Sequence, residues 1–562
     1  MQLMKQDKKT FITLMILFFI ISVLFLSNNK GFDIAFFVSR INSMSEHIQR
    51  YGLFSALTSK INFSENNPYG YSINHFYGTL SLIPAAMLSV IGIEPLISYK
   101  IMIVCGVSFT WIATYYCMRT VFNKQDISLL LILSFIYAMM VPNLGDFLLA
   151  KTIKPALGFC FPIGMYNLYQ LFHKKENLFG NMIGLTAAVA INLLNHNLTT
   201  ITLCIVLLAE YVVLAILHKN KQELCRITGQ ILISAVLCIG LCSFFVFPML
   251  EQSLLGIFVF NHGQVNINGA GNLANLWSGV IFNRAFAQMI NVPQPAENNG
   301  GYLFYFLVLM WLAIKNRDKK YAMICLSVIL LMLGLSIVQL PSMFSVFQFR
   351  SRLYAVFNPA LILLILWGCT HNSQSTQKRI SIFLIVGVIV NLLFVLILQG
   401  SIGLPDYSDK IDVGGGDYYV YNEDYRGDST VGGYYWKYDQ SIQRENIENT
   451  ISELPYDWEY LESGIRFTAT SDNSIVLPLT YYKGYTVFTE INDSELMKYC
   501  DIDMYTKDGL MVIDNTNQEL TNRVVYVLYT GTIVQKLSIY CSLFTSVILL
   551  VVLFRKYHQR KF

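Results

Sequence analysis

The chain has 562 residues, of which 54% are hydrophobic and only 14% charged, with a mean hydropathy of +0.47 and a formal charge of +4. That balance excludes an ordinary water-soluble multidomain protein and indicates a polytopic membrane protein, because many apolar runs approach the ~20 residues needed to cross a ~30 Å hydrocarbon core. In lipid such runs are helical, since every backbone polar group needs a partner within the chain.

The first run, FITLMILFFIISVLFL, follows MQLMKQDKKT and has no small-residue cleavage site, so it reads as a retained helix. Short Lys/Arg-rich loops mark the cytoplasmic side. They are KQDKK at 5–9, Arg119 with Lys124, HKKE at 173–176, HKNKQELCR at 218–226, KNRDKK at 315–320, QKR at 377–379 and RKYHQRK near 555–561. Placing all of them inside predicts twelve spans, near 11–27, 97–118, 127–145, 155–172, 179–195, 198–217, 228–250, 301–314, 321–338, 353–370, 380–398 and 536–554, with both termini cytoplasmic. The apolar stretch 76–92 would invert every later loop if it crossed, so it is expected as a re-entrant or interfacial element within a long first outer loop, 28–96.

With that orientation several basic residues fall outside: Arg40 in the first loop, Lys151 and Lys154 beside Asp146 in the second, and Arg350 and Arg352 in MFSVFQFRSRLY. Each alone reads as a cation snorkelling into headgroups. As a set they suit a lipid phosphate, for which Arg supplies a bidentate fork and Lys a point charge. In GFDIAFFVSRI, Asp33 and Arg40 would share a helical face, and a carboxylate at an apolar boundary has its pKa raised toward the range of a general base. The plainer alternative makes Asp33 an acid in a helix's first turn. In LLNHNLTT at 193–200, His196 with Asn195 and Asn197 lines a polar site, or the turn caps the next helix through Asn197 or Thr199.

The cysteines are scattered through apolar runs without metal-ligand spacing and read as small buried hydrophobes. Residues 401–535 carry 23 Asp+Glu against 9 Lys+Arg, a net of −14, which leaves +18 for the rest of a chain of net +4. Within them SIVLPLTYYKGYTVF and RVVYVLYTGT alternate as strands do, separated by SDN, NDS, KDG and DNTN turns, which predicts a β-rich domain outside the membrane. The aromatic stretch 417–438 either stacks on sugars or packs that domain. GGGD at 414–417 is a turn and no phosphate cradle, and Asp501 with Asp503 reads as a solvated strand edge.

The order of these features resembles the GT-C superfamily of polytopic glycosyltransferases: GxDxxFxxxRI after the first span, YGYSINHFYGTL, an outer loop with Asp146 and basic residues, NHNLTT, then FQFRSRLY. More narrowly it is similar to bacterial YfhO-type membrane proteins, through LPLTYYKGY at 477–485 and KDGLMVI at 507–513. The resemblance implies transfer of a sugar from a polyprenyl-phosphate carrier to a cell-envelope polymer at the outer face, with Asp33 as general base or acceptor-positioning group. Lys151, Lys154, Arg350 and Arg352 would hold the carrier phosphate, with Arg40, Asp146 and His196 as further substrate contacts. Related sequences commonly carry His where this chain has Phe37, which leaves any such role to His47, His75 or His196. Some enzymes of the superfamily need a divalent metal and others do not, so no cofactor is fixed. Lipid is an expected partner and nucleic acid is not.

The expectation is therefore a GT-C-like transmembrane domain, 1–400, an extracytoplasmic β-rich domain, 401–535, and a final span with a basic cytoplasmic tail, 536–562. The rival functions are a transporter or flippase of a lipid-linked glycan and a non-catalytic envelope assembly protein.

Overall fold

The computed structural model describes residues 2–28, 34–64, 67–71, 73–140, 154–173, 177–255, 301–338, 351–401, 449–492, 495–499, 502–507 and 510–559. The chain separates into two compact units, one of residues 1–34, 93–236 and 265–408, the other of 35–92, 237–264 and 409–562. Residues 35–92, most of the first outer loop of the sequence reading, thus group with the C-terminal part of the chain.

Among the described residues a helix falls within each of the twelve predicted stretches, and seven helices are long and apolar enough to cross a membrane: Lys8–Ser27, Pro95–Val121, Asn197–Leu217, Lys221–Ser253, Lys319–Ile337, Gln374–Ile397 and Ile533–Lys556. Ile127–Ala138, Leu178–Leu193, Leu303–Asn316 and Ala355–Thr370 are apolar but shorter. At a rise of about 1.5 Å per residue they fall short of a ~30 Å core by themselves. The stretch 76–92 holds only a nine-residue helix, Leu82–Val90, which cannot cross.

In the first unit the Ile127–Ala138 helix is the hub. It is apolar on every face, its residues 128–138 are all buried, and the helices Gln2–Ser27, Pro95–Val121, Asn358–Thr370 and Gln374–Ser401 surround it. A helix hydrophobic all round needs such a jacket, whereas an amphipathic one does not. Its start is fixed by Asp126, whose carboxylate accepts the Leu129 N–H at 3.1 Å. Small residues set the closest approach in this unit: a Cβ on Gly106 would stand 2.2 Å from the Ala156 Cα, so the Pro95–Val121 helix and the short Lys154–Leu157 helix meet backbone to backbone.

The second unit holds the β structure. A small hairpin pairs β1 (Asn62–Ser64) with β2 (Asn67–Tyr71). Five strands follow in the order β3 (Trp458–Leu461), β4 (Gly464–Thr468), β10 (Val524–Tyr529), β6 (Tyr485–Asn492) and β7 (Glu495–Tyr499), and three more in the order β5 (Ser474–Leu477), β9 (Leu510–Asp514) and β8 (Met504–Lys507), every pair antiparallel. The alternation read in RVVYVLYTGT is the pleat of β10: Val525 and Val527 are fully buried and face Phe467 and Ile465 of β4. Ile475 and Leu477 of β5 join the same core with Met511 and Ile513 of β9, so both sheets share one apolar interior. Gly484 enters β6 at φ +123°, a conformation that L side chains rarely adopt, and a Cβ there would also press on the Tyr529 ring. Lower in this unit, residues 237–253 pack on the Ile533–Gln559 helix through hydroxyls: Ser243 Oγ donates to the Ser538 carbonyl at 2.7 Å and lies 2.8 Å from Ser542 Oγ.

The Gly106 contact makes a test of the first unit. Gly106→Val forces the Lys154–Leu157 segment off its helix, with an expected loss of about 1–3 kcal/mol, read as a lowered unfolding midpoint in detergent, while Ala substituted at the exposed Tyr116 of the same helix leaves it unchanged.

Candidate functional site

The first unit contains a narrow cavity of about 50 Å³ lined by Tyr137, Lys154, Gly158, Phe161, Thr199, Thr202, Ala355 and Asn358. Three stretches singled out in the sequence therefore meet here: the segment opening with Lys154, the first turn after LLNHN, and the residues that follow Arg352. Lys154 heads the Lys154–Leu157 helix and is half-buried, a cation beside two threonine hydroxyls and an amide. Asn358 is oriented from behind, because Tyr302 Oη donates to its Oδ1 at 2.8 Å. This donor set can hold the oxygens of one small anion, with Lys154 as point charge and hydroxyls as neutral donors.

His196 is buried behind that cavity and serves as the N-cap of the Asn197–Leu217 helix. Its Nδ1 accepts the Thr199 N–H at 3.1 Å and lies 2.9 Å from Thr199 Oγ1, which puts the ring proton on Nε2. The turn is thus a cap, as one of the two readings held, but the capping side chain is His196 in place of Asn197 or Thr199. The imidazole positions Thr199, and Thr199 lines the cavity.

Arg40 lies in the second unit, 5% exposed. Its guanidinium donates to the carbonyls of Tyr77 and Gly78 at 3.1 Å each and lies over the Phe36 and Tyr77 rings, 5.4 and 5.6 Å from their centroids. Those contacts tie the Ile34–Thr58 helix to the turn that follows Ile73–Phe76. Asp33, Asp146, Lys151 and Arg350 lie outside the described residues, as does the stretch 417–438. Arg352 sits in the Ser351–Tyr354 helix, three residues before Ala355, and its side chain is outside the description. Among the described residues no group of three or more His, Cys, Asp and Glu is placed to hold a metal ion.

Two residues of the second unit escaped the sequence reading. Lys60 is buried, donates to the Phe244 carbonyl at 3.2 Å, and burial pushes its ammonium down to about 8. Tyr529, the last residue of β10, donates to Gln535 Oε1 at 2.9 Å and takes the ring proton of His75 Nε2 at the same distance. Burial raises the Tyr529 phenol and drives the His75 imidazole well below its ordinary 6.5, helped by the nearby Lys60 ammonium. The weak signal for Lys60 was its position between a helix and a short strand; nothing in a lone lysine tells whether it is buried. His75 had been named, but only as a replacement for the family's histidine.

No family model matches the chain. A protein of Lactococcus lactis subsp. cremoris (strain MG1363), itself uncharacterized, is 26% identical over 287 residues, which is 48% of this chain and 44% of that protein. The chain thus spans less than half the length of this curated relative.

His75 gives a pH dependence with a definite sign. Its folded pKa lies below the unfolded 6.5, so its contribution is fully present above 6.5 and is lost as pH falls toward the folded value. Stability of the full chain in detergent is expected to drop by up to about 1.4 kcal/mol per pH unit below 6.5, and His75→Asn to flatten that slope.

Proposed function

We propose that the chain is a multi-pass protein of the cell membrane that transfers a sugar from a polyprenyl-phosphate donor to a cell-envelope glycopolymer, of the teichoic acid or surface polysaccharide kind, at the outer face. In this reading twelve helices cross the bilayer, both termini are cytoplasmic and the β-rich part lies outside. The observation that carries it is the cavity where Lys154, the NHNLTT turn and residues 355–358 converge, since the charge rule assigns all of these to the outer side. The seven long apolar helices support the membrane placement, and their outward faces, with Phe19, Phe109, Ile216 and Leu550 exposed, suit lipid and not water.

The chemistry follows from charge. As the acceptor oxygen bonds to the anomeric carbon, the bond from that carbon to the carrier phosphate breaks and the configuration inverts. Negative charge then collects on the departing phosphate, where Lys154 is placed to meet it and Lys151, Arg350 and Arg352 belong to the neighbouring outer loops. Asp33, next to the first span, takes the acceptor hydroxyl's proton. Arg40 has the structural role of binding main-chain carbonyls in its own unit.

The test is sugar incorporation into envelope polymer by cells carrying single variants at normal protein level. Asp33→Asn is expected to lower it at least ~100-fold, with the lipid-linked sugar accumulating unused. Lys154→Gln is expected to lower it about tenfold or more, through a lost charge-assisted contact. Undiminished transfer in Asp33→Asn gives the chain to a transport or assembly role instead.

A further inference from the structure

A second cavity, of about 240 Å³, lies within the second unit. Four pieces of that unit build it: residues 55–61 at the end of the Ile34–Thr58 helix, the turn between β3 and β4, the end of β10, and the first turns of the Ile533–Gln559 helix. Most of its lining residues carry polar groups, although its polar and apolar surfaces are nearly equal, a more polar balance than the apolar walls usual for a small-molecule pocket. Lys60, Lys536 near the helix start and Glu462 from the strand turn are among its lining residues.

Lys60, Glu462 and Tyr529 are held by neighbouring groups, while Lys536 is exposed. The Lys60 ammonium is held at the Phe244 carbonyl and over the Phe244 and Phe245 rings, at 5.6 and 6.0 Å from their centroids. Glu462 accepts the Ser55 hydroxyl at 3.0 Å and lies 3.8 Å from His47 Nε2. Tyr529 is fixed between His75 and Gln535. The cavity therefore has two lysines and a hydroxyl-accepting carboxylate among its lining residues, in a volume that admits a phosphate with a short polyol but not a drug-sized molecule.

We propose that this cavity binds a phosphodiester bearing neighbouring hydroxyl groups, with Lys60 and Lys536 taking the phosphate oxygens and Glu462 a hydroxyl. Lysine ammoniums act as point charges toward phosphate, and they come here without the arginine fork that favours a planar carboxylate. Burial disfavours the charged form of Lys60, and an anion bound beside it favours that form. The site stands apart from the sugar-transfer reading, since its test measures binding and not transfer. Either of two sources would supply such a group, an anionic lipid headgroup or a polyol-phosphate polymer.

The affinity should depend on pH through Lys60. Burial holds its ammonium at about 8, so the unliganded site loses this charge between pH 7 and 9. Lys536, Glu462, His47, His75 and Tyr529 also face this region; burial keeps His47 and His75 low and Tyr529 high, and a phosphodiester does not itself titrate there.

The experiment uses the full chain in a neutral detergent with glycerophosphoglycerol as probe. Saturable binding is expected, about tenfold weaker in Lys60→Met and in the surface variant Lys536→Gln, and about tenfold weaker at pH 9 than at pH 7, a dependence that Lys60→Met should abolish. Reconstitution then separates the sources: displacement of the probe by phosphatidylglycerol but not phosphatidylcholine assigns the site to a headgroup, and its persistence in both lipids assigns it to the polymer. Absence of saturable binding, equal binding by Lys536→Gln with its unfolding midpoint unchanged, or equally tight binding of a uronic acid overturns the proposal.

Discussion

A main-chain carbonyl or a cation shut among apolar side chains has to be answered by another group of the same chain, and that constraint runs through both units. Inside a helix the answer is automatic, but the last carbonyls of each helix have no partner of their own. The chain repeatedly meets them with basic side chains. Lys100 reaches from the Pro95–Val121 helix to the Leu26 carbonyl, in the last turn of Gln2–Ser27, at 2.9 Å. A cation there also lies at the negative end of the helix dipole. Arg40 does the same for the carbonyls just after Ile73–Phe76.

Contacts between helices obey the same constraint by a different route. In the membrane placement proposed above, lipid and leucine are equally apolar, so apolar burial alone gives two helices no reason to pair. Close approach and hydroxyl bonds supply one. Gly106 lets a helix touch the Ala156 backbone; Thr186 and Ser234 join two helices of the first unit, Thr186 Oγ1 donating to the Ser234 carbonyl at 3.2 Å; Ser243, Ser538 and Ser542 join two of the second. The β part has no such difficulty, because its strands answer one another's backbone and leave alternate side chains free to form a common core.

This explains what could be read in advance. Helix and strand positions were legible because they rest on apolar runs and on alternation, local patterns that the backbone imposes. The strands of SIVLPLTYYKGYTVF and RVVYVLYTGT fall where their alternation and turn residues put them. Individual polar side chains were less legible, since their partners come from distant sequence: Lys60 meets Phe244, and His75 meets Tyr529. His196 was assigned to the right turn, yet which residue caps depends on backbone angles that a string of Asn, His and Thr leaves open. Which apolar runs cross a bilayer by themselves was less legible still. An apolar run marks burial, and a hub helix such as Ile127–Ala138, surrounded by protein, is as apolar as one facing lipid.

The distinction between structural and functional cations then becomes one of geometry, since charge and position in the sequence treat them alike. Lys100 and Arg40 end on helix-terminal carbonyls, and the energetic reason for keeping them is complete once those carbonyls are met. Lys60 also donates to a main-chain carbonyl, that of Phe244, but it and Lys154 each line a cavity together with hydroxyl-bearing neighbours, Thr199 and Thr202 for Lys154, Ser55 and Tyr529 for Lys60. A buried cation lowers its cost by turning toward a dipole, but a dipole needs no empty volume beside it. Space next to a cation, walled by groups that donate and accept hydrogen bonds, is what an anion requires and what a helix cap does not. On that criterion Lys154 and Lys60 have the setting an anion needs, whereas the contacts of Arg40 are with main-chain carbonyls and aromatic rings.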